Sequence, residues 1–228
     1  MPNARLPALI PVNRLDRAKG RLAPFLTPAE RAELALATFE TVLEAVRGAG
    51  WTPVVLTSDD TVRAAAGPNA VVLGEGSPFL GLNAELEGAL LRLQPAFPQP
   101  ADPRLLIVHA DLPLASAEAI RAFCGEAREA PSAVAVCSAD GGTNIMLLRP
   151  PGLFAFAFGR ESYVQHEARA AQAGLRWVRH ESATLSLDLD TPADLLTLLD
   201  APGGATSRAG KLLVRWRIRG RLNDGATA

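Results

Sequence analysis

The stretch RLLIVHADLPL, Arg104 to Leu114, decides the fold. Its apolar core, Leu105 to Val108, has strand length and is followed at once by an acid, Asp111, and a proline, Pro113. A short apolar run of this kind marks a buried strand. In α/β sheets, ligands and metals are held at the ends of such strands, so Asp111 stands where chemistry is expected.

Similar runs recur on both sides of it as PALIPV (7–12), TPVVLT (52–57), AVVL (70–73), SAVAVC (132–137) and NIMLLR (144–149). Amphipathic segments of helical length lie between several of them, an alternation that predicts an α/β fold. Thr27, Pro28 and Glu30 form a capping box for a helix running to about Gly48. SYVQ, Ser162 to Gln165, repeats the device, with Gly174 as the stop, and TPAD, Thr191 to Asp194, opens a third helix. Each of these starts offers N–H groups to an anion. The proline-rich PAFPQPADP (95–103) reads as a surface connection. A boundary is expected near Pro202, with residues 1–201 as the domain and 202–228 as a linker and a basic C-terminal tail or edge strand. In that tail Val214, Trp216 and Ile218 alternate with Arg215, Arg217 and Arg219.

Of 228 residues 48% are apolar and 21% charged, and the net charge is −1. These values suit a globular protein and give no overall field that would draw in nucleic acid or an anionic membrane. Any phosphate site must therefore be local. Cys124 and Cys137 show neither metal-ligand spacing nor a disulfide framework, which fits a reducing cytoplasm. With no apolar leader before a cleavage site and no run of about 18 apolar residues, neither secretion nor a membrane span is expected.

The chemistry concentrates in a few places. In LSLDLDTPADL (185–195), strand periodicity puts Leu185, Leu187 and Leu189 on one face and Ser186, Asp188 and Asp190 on the other. Neighbouring carboxylates repel unless a cation lies between them, and a divalent ion is the usual remedy. Asp111 supplies a third carboxylate, giving a set suited to a magnesium–nucleotide site. After the first strand, NRLDRAKGRL brings Arg14, Arg17, Lys19 and Arg21 together beside Gly20, a basic loop suited to a triphosphate. It is not a Walker A loop. DGGTN (140–144) and FGRES (158–162) read as two anion nests, the second aiming the Ser162 helix at a phosphate or carboxylate.

Taken in order, AKGRL, the LN at Leu82 and Asn83, ADLPL, GGTN, FGRESYVQH and LDLDTPADL resemble the motifs of the phosphoenolpyruvate or 2-phospho-L-lactate guanylyltransferases of coenzyme F420 biosynthesis. The resemblance implies a single-domain nucleotidyltransferase related to the molybdenum cofactor guanylyltransferases, with a Rossmann-like, mostly parallel mixed sheet flanked by helices. It implies transfer of GMP from GTP to a phosphorylated three-carbon acid, release of pyrophosphate, and Mg2+ as cofactor. The acid is phosphoenolpyruvate, 2-phospho-L-lactate or 3-phosphoglycerate, with phosphoenolpyruvate favoured.

Residue by residue, the resemblance implies Asp111, Asp188 and Asp190 as metal ligands and Lys19 and Arg21 at the triphosphate, with Asn83 in the nucleotide site. Asp111, Lys19 and Arg21 would carry the catalysis. Thr143, Gly159 and Ser162 would contact the acceptor. His166 lies one helix turn after Ser162, within reach of the same ligand. A nucleotidyltransferase acting on molybdopterin or a sugar phosphate would start with a GGxSxRMG-like loop, which NRLDRAKGRL lacks. A non-catalytic nucleotide-binding domain would keep the nests and lose the three carboxylates.

Overall fold

The computed structural model describes residues 6–76, 81–93 and 102–225, so most of the proline-rich connection lies outside the described residues. The strands are β1 Pro7–Pro11, β2 Thr52–Leu56, β3 Val71–Leu73, β4 Leu105–Val108, β5 Ser132–Cys137, β6 Thr143–Arg149 and β7 Arg176–Arg179. They form one sheet in the order β3-β2-β1-β4-β6-β5-β7. All neighbours are parallel except the two pairs that β6 makes with β4 and β5. Six strands coincide with the apolar runs of the sequence. The seventh, RWVR, is only four residues long and begins and ends on exposed arginines, so no apolar run announces it.

The helices are α1 Pro28–Gly48, α2 Asp60–Ala66, α3 Gly81–Leu93, α4 Ala117–Gly125, α5 Ser162–Gln172, α6 Pro192–Asp200, α7 Arg208–Arg215 and α8 Ile218–Gly225. None is long and apolar enough to cross a membrane. Strand periodicity divides the core. Ile10, Leu106, Val108 and Leu147 face α1 and α4, whereas Leu9, Ile107, Met146 and Leu148 face α3 and α5. With both faces covered, the central strands are apolar throughout, as parallel strands between helix layers must be.

The expected capping boxes of α1 and α6 form. Glu30 N donates to Thr27 Oγ1 (3.2 Å) and Thr27 N to Glu30 Oε2 (2.9 Å). The Asp194 carboxylate accepts from the backbone of Asp190 (3.0 Å) and of Thr191 (2.6 Å).

Two expectations are corrected. Residues 185–190 do not form a strand: Leu185 and Leu189 are buried in separate clusters, and Asn144 Nδ2 donates to the carbonyls of Leu185 (3.2 Å) and Ser186 (3.1 Å) in place of a ladder. The C-terminal segment is neither a tail nor an edge strand but the helix pair α7–α8. Ser207 caps α7 by accepting from Gly210 N (3.0 Å), and Ala209, Leu213 and Trp216 recur at helical spacing on its buried side. Two of the arginines that alternate along this segment pair with other helices, Arg215 with Glu33 of α1 (2.6 Å) and Arg219 with Asp200 of α6.

The topology places the site. From β1 the chain steps outward to β2 and β3, then crosses to β4 on the opposite side of β1. The loops leaving β1 and β4 diverge at this switch point, where open α/β sheets bind ligands. Because β6 runs antiparallel, it begins at the rim where β4 ends, with Ile145 opposite Val108.

Candidate active site

After β1 the chain makes two short 3-10 turns, Leu15–Arg17 and Gly20–Leu22, and Lys19 joins them in a left-handed conformation (φ 54°). Lys19 Nζ lies 2.9 Å from Asp111 Oδ2 and 3.0 Å from Asp190 Oδ1. Its side chain is only 7% exposed. Arg21 stands further out, 3.8 Å from Asp190 Oδ2 and mostly in solvent. Ligand oxygens of Asp111, Asp188 and Asp190 lie within 4.8 Å of one another. The structure thus brings together five residues singled out in the sequence.

Three carboxylates around one buried ammonium leave negative charge in excess. Burial, with Asp111 and Asp190 alongside, pushes the Asp188 carboxyl up to about 7. Burial works the same way on Asp111, but the Lys19 ammonium overrides it and holds that carboxyl below its usual range. Asp111 Oδ1 is buried without a partner. An orphaned carboxylate oxygen beside like charges, in an all-oxygen donor set, fits a divalent cation such as Mg2+.

The region expected to meet the acceptor is built differently. Residues 155–158 have no regular secondary structure, yet side chains take six of their backbone polar groups. Arg169 Nη1 donates to the carbonyls of Ala155 and Phe156 (both 2.7 Å), and Phe156 N donates to Glu87 Oε1 (3.2 Å). Ala157 N donates to His166 Nε2 (2.9 Å). Asn83 spans Phe158, accepting from its N–H (2.7 Å) and donating to its carbonyl (3.0 Å). Asn83 and Glu87 lie one turn apart on α3, as do His166 and Arg169 on α5, so two helices each hold the segment with a pair of side chains. Both ends of the Asn83 amide are therefore occupied by protein.

This bracket carries the exposed loop 159–161, where Gly159 (φ 134°) and Glu161 (φ 52°) are both at positive φ. Among the described residues, the N–H groups of Gly159, Arg160 and Glu161 have no protein partner. Consecutive free N–H groups of this kind form an anion-binding concavity.

Three expectations about this region are corrected. Ser162 is the first residue of α5 rather than its cap, and its hydroxyl donates to Thr143 Oγ1 (3.1 Å). The first helical N–H groups are already taken, Ser162 N by Gly159 O (3.2 Å) and Tyr163 N by Gly141 O (3.1 Å), so the hydroxyl is free to turn to its buried neighbour. Gln165 Nε2 donates to Arg160 O (3.2 Å) instead of closing a box. DGGTN is no open nest either, because Asp140 Oδ1 accepts from Gly142 N (3.1 Å) and fills it. Glycine is required there, since a Cβ would meet Ser138 Oγ at 2.7 Å.

His166 is fully buried, and burial lowers its pKa to about 4, so the ring is neutral. Glu87, Arg169 and His109 escaped the sequence reading; only the one-turn spacing of the helical pairs could have pointed to the first two. The His109 ring lies over Phe158 (5.1 Å), and Phe158 meets His166 edge-on (4.7 Å), joining the carboxylate cluster to the bracketed segment.

The profile of the family described as guanylyl transferase CofC like matches residues 6–219. A phosphoenolpyruvate guanylyltransferase from Sphaerobacter thermophilus is 41% identical over 88% of this chain and 96% of its own length. One from Rubrobacter xylanophilus is 38% identical over the same shares. Relatives named for other acceptors are a 3-phospho-D-glycerate guanylyltransferase from Phenylobacterium zucineum and a 2-phospho-L-lactate guanylyltransferase from Methanothermobacter thermautotrophicus. They are 33% and 32% identical, over 89% and 93% of this chain and 94% and 92% of their own. A crystal structure from Desulfovibrio desulfuricans G20, assigned as a nucleotide-diphospho-sugar transferase, superposes with a TM-score of 0.77 over 94% of this chain and 97% of its own. At 17% identity it shares the fold. Profile, relatives and fold agree, and the chain belongs to the guanylyl transferase CofC like family of nucleotidyltransferases.

Proposed function

We propose that the protein transfers GMP from GTP to the phosphate of phosphoenolpyruvate and releases pyrophosphate, a step toward coenzyme F420, using Mg2+ at Asp111, Asp188 and Asp190. The observation that carries this reading is the pairing of an under-neutralised carboxylate cluster at the switch point with a prebuilt anion loop on the same rim. The choice of phosphoenolpyruvate is supported by the names of the two relatives at 41% and 38% identity. Both cysteines are free thiols, which supports a cytoplasmic setting.

A bound divalent cation would supply Lewis-acid neutralisation of phosphate charge. Lys19, fixed between Asp111 and Asp190, and the more exposed Arg21 meet the triphosphate of GTP at the head of the β1 loop. The N–H groups of residues 159–161 and the Thr143–Ser162 hydroxyls hold the acceptor. Its phosphate oxygen, already ionised near neutral pH, attacks the α-phosphorus in line, and pyrophosphate leaves. No general base or covalent intermediate is required, and positioning with charge neutralisation carries the rate.

The test is mass spectrometry of products after incubation with GTP, Mg2+ and each of the three acids in turn. The expected product is guanylylated phosphoenolpyruvate with one equivalent of pyrophosphate. Product from another acid alone reassigns the acceptor, and no product from any of them overturns the reading.

A further inference from the structure

Beneath the acceptor loop lie two hydroxyls and one imidazole, all buried, and their hydrogens can be counted. Ala157 N–H can only donate, so His166 Nε2, 2.9 Å away, holds a lone pair. In the neutral ring the hydrogen then sits on Nδ1. Nδ1 is 3.0 Å from Thr143 Oγ1, so the hydroxyl accepts there. Thr143 and Ser162, 3.1 Å apart, share one bond that uses one of their two hydrogens. His166 takes neither. One O–H hydrogen is left, and among the described residues neither oxygen makes a further hydrogen bond to protein. The opposite tautomer would have consumed that hydrogen.

We propose that His166 is a positioning residue that does not touch the acceptor: by anchoring on Ala157 and donating to Thr143, it obliges the Thr143–Ser162 pair to direct its remaining hydrogen at the ligand. This deepens the acceptor assignment above and rests on it. The consequence is that the pair always has a hydrogen to offer the ligand, which an ionised carboxylate or phosphate oxygen accepts and which the opposite tautomer would withhold.

The test has a spectroscopic and a kinetic arm. The chain has three histidines. In 15N-histidine spectra of the ligand-free protein, the ring signals lost in His166→Gln identify His166. A pyrrole-type Nδ1 with a pyridine-type Nε2 is expected, and the reverse tautomer overturns the inference.

In the kinetic arm GTP and phosphoenolpyruvate are varied separately. The Asn side chain in His166→Asn puts its amide nitrogen near the former Nδ1, whereas the longer Gln side chain keeps only an acceptor near the former Nε2. His166→Gln should raise the acceptor KM about tenfold and leave the GTP KM alone, and His166→Asn should bring it back to within about threefold of the parent. In a Thr143→Val background, His166→Gln should add less than about twofold. Independent, multiplying effects of the two substitutions overturn the inference. If the parent protein turns over no acid, the activity reading falls, and the tautomer still decides the role of His166.

Discussion

Around Lys19, three carboxylates share one buried ammonium, Asp188 is pushed up to about 7, and an oxygen of Asp111 has no partner. Around Phe158, six backbone groups of an irregular segment are each taken by a side chain. The first region is electrostatically incomplete, and the second is neutral and finished before any ligand arrives. The contrast separates two ways of building a site. A centre that must bind an ion keeps its charge in excess, because neutralising it in advance would remove the driving force. A cradle for a small anion gains affinity from N–H groups already held in place. The first region should therefore answer to metal and pH, and the second should not.

The largest effect is expected from Asp111→Asn. It removes the carboxylate that meets Lys19 and offers the orphaned oxygen, and should cost at least about a hundredfold in turnover. Pyrophosphate release at saturating Mg2+ measures it, and a rate within twofold of the parent would sink the metal assignment.

Lys19→Met comes next. It leaves the carboxylates without their ammonium and should destabilise the metal-free fold by about 2–3 kcal/mol, below the usual range for a fully buried pair because Asp190 stays 40% exposed. Urea titrations with and without Mg2+ should show the ion restoring more stability to this variant than to the parent. Equal gains would mean that the cluster does not hold the ion.

A pH series sharpens the contrast further. In the folded, metal-free protein Asp188 keeps its proton up to about pH 7, whereas in the unfolded chain it loses it near about 3.9. Between these values the folded state binds the extra proton, so this group's contribution to stability falls as pH rises through the window and levels off above it. Subtracting the urea midpoints of Asp188→Asn from those of the parent should isolate that slope. Mg2+ should flatten it by favouring the ionised carboxylate. His166→Gln should leave it in place.

Asn83→Ala breaks the two bonds to Phe158 and should raise the acceptor KM several-fold, with about 1–2 kcal/mol lost in stability. If the GTP KM moves instead, Asn83 belongs to the nucleotide site, as the family resemblance implies. The smallest effect belongs to Glu87→Ala, which removes one long bond from an exposed side chain. A loss under about 1 kcal/mol by thermal denaturation is expected, with kinetics unchanged.

The fold was legible where local signals and burial agree. The apolar runs of β1, β2, β4, β5 and β6 and the boxes at Thr27 and Thr191 involve neighbours in sequence, and so does the rise of Asp111 from the end of β4. The failures share a cause. Ser162 carries a capping pattern, but its hydroxyl answers to Thr143, 19 residues away. The alternation from Val214 to Arg219 satisfies a strand template, whereas Ala209, Leu213 and Trp216 satisfy a helical one, and the cluster beneath them decides between the two. Asp188 and Asp190 were placed together by a strand that does not form. They still converge, because Asn144 and the Thr191 cap fix both ends of their segment. The bracket on residues 155–158 had no signature, since Asn83 and Phe158 meet across 75 residues.

The helix pair α7–α8 packs on Leu22 and Leu26, the two leucines just beyond Lys19, within one cluster that also includes Leu198, Leu213 and Trp216. The floor of the first functional loop is thus made from the far end of the chain. During synthesis on the ribosome, the β1 loop emerges well before its support, which appears only after some two hundred further residues have been added. Until then Lys19 has neither Asp190 nor the packed leucines to hold it. The β1 loop is the first piece of the candidate site to be translated and the last to be completed.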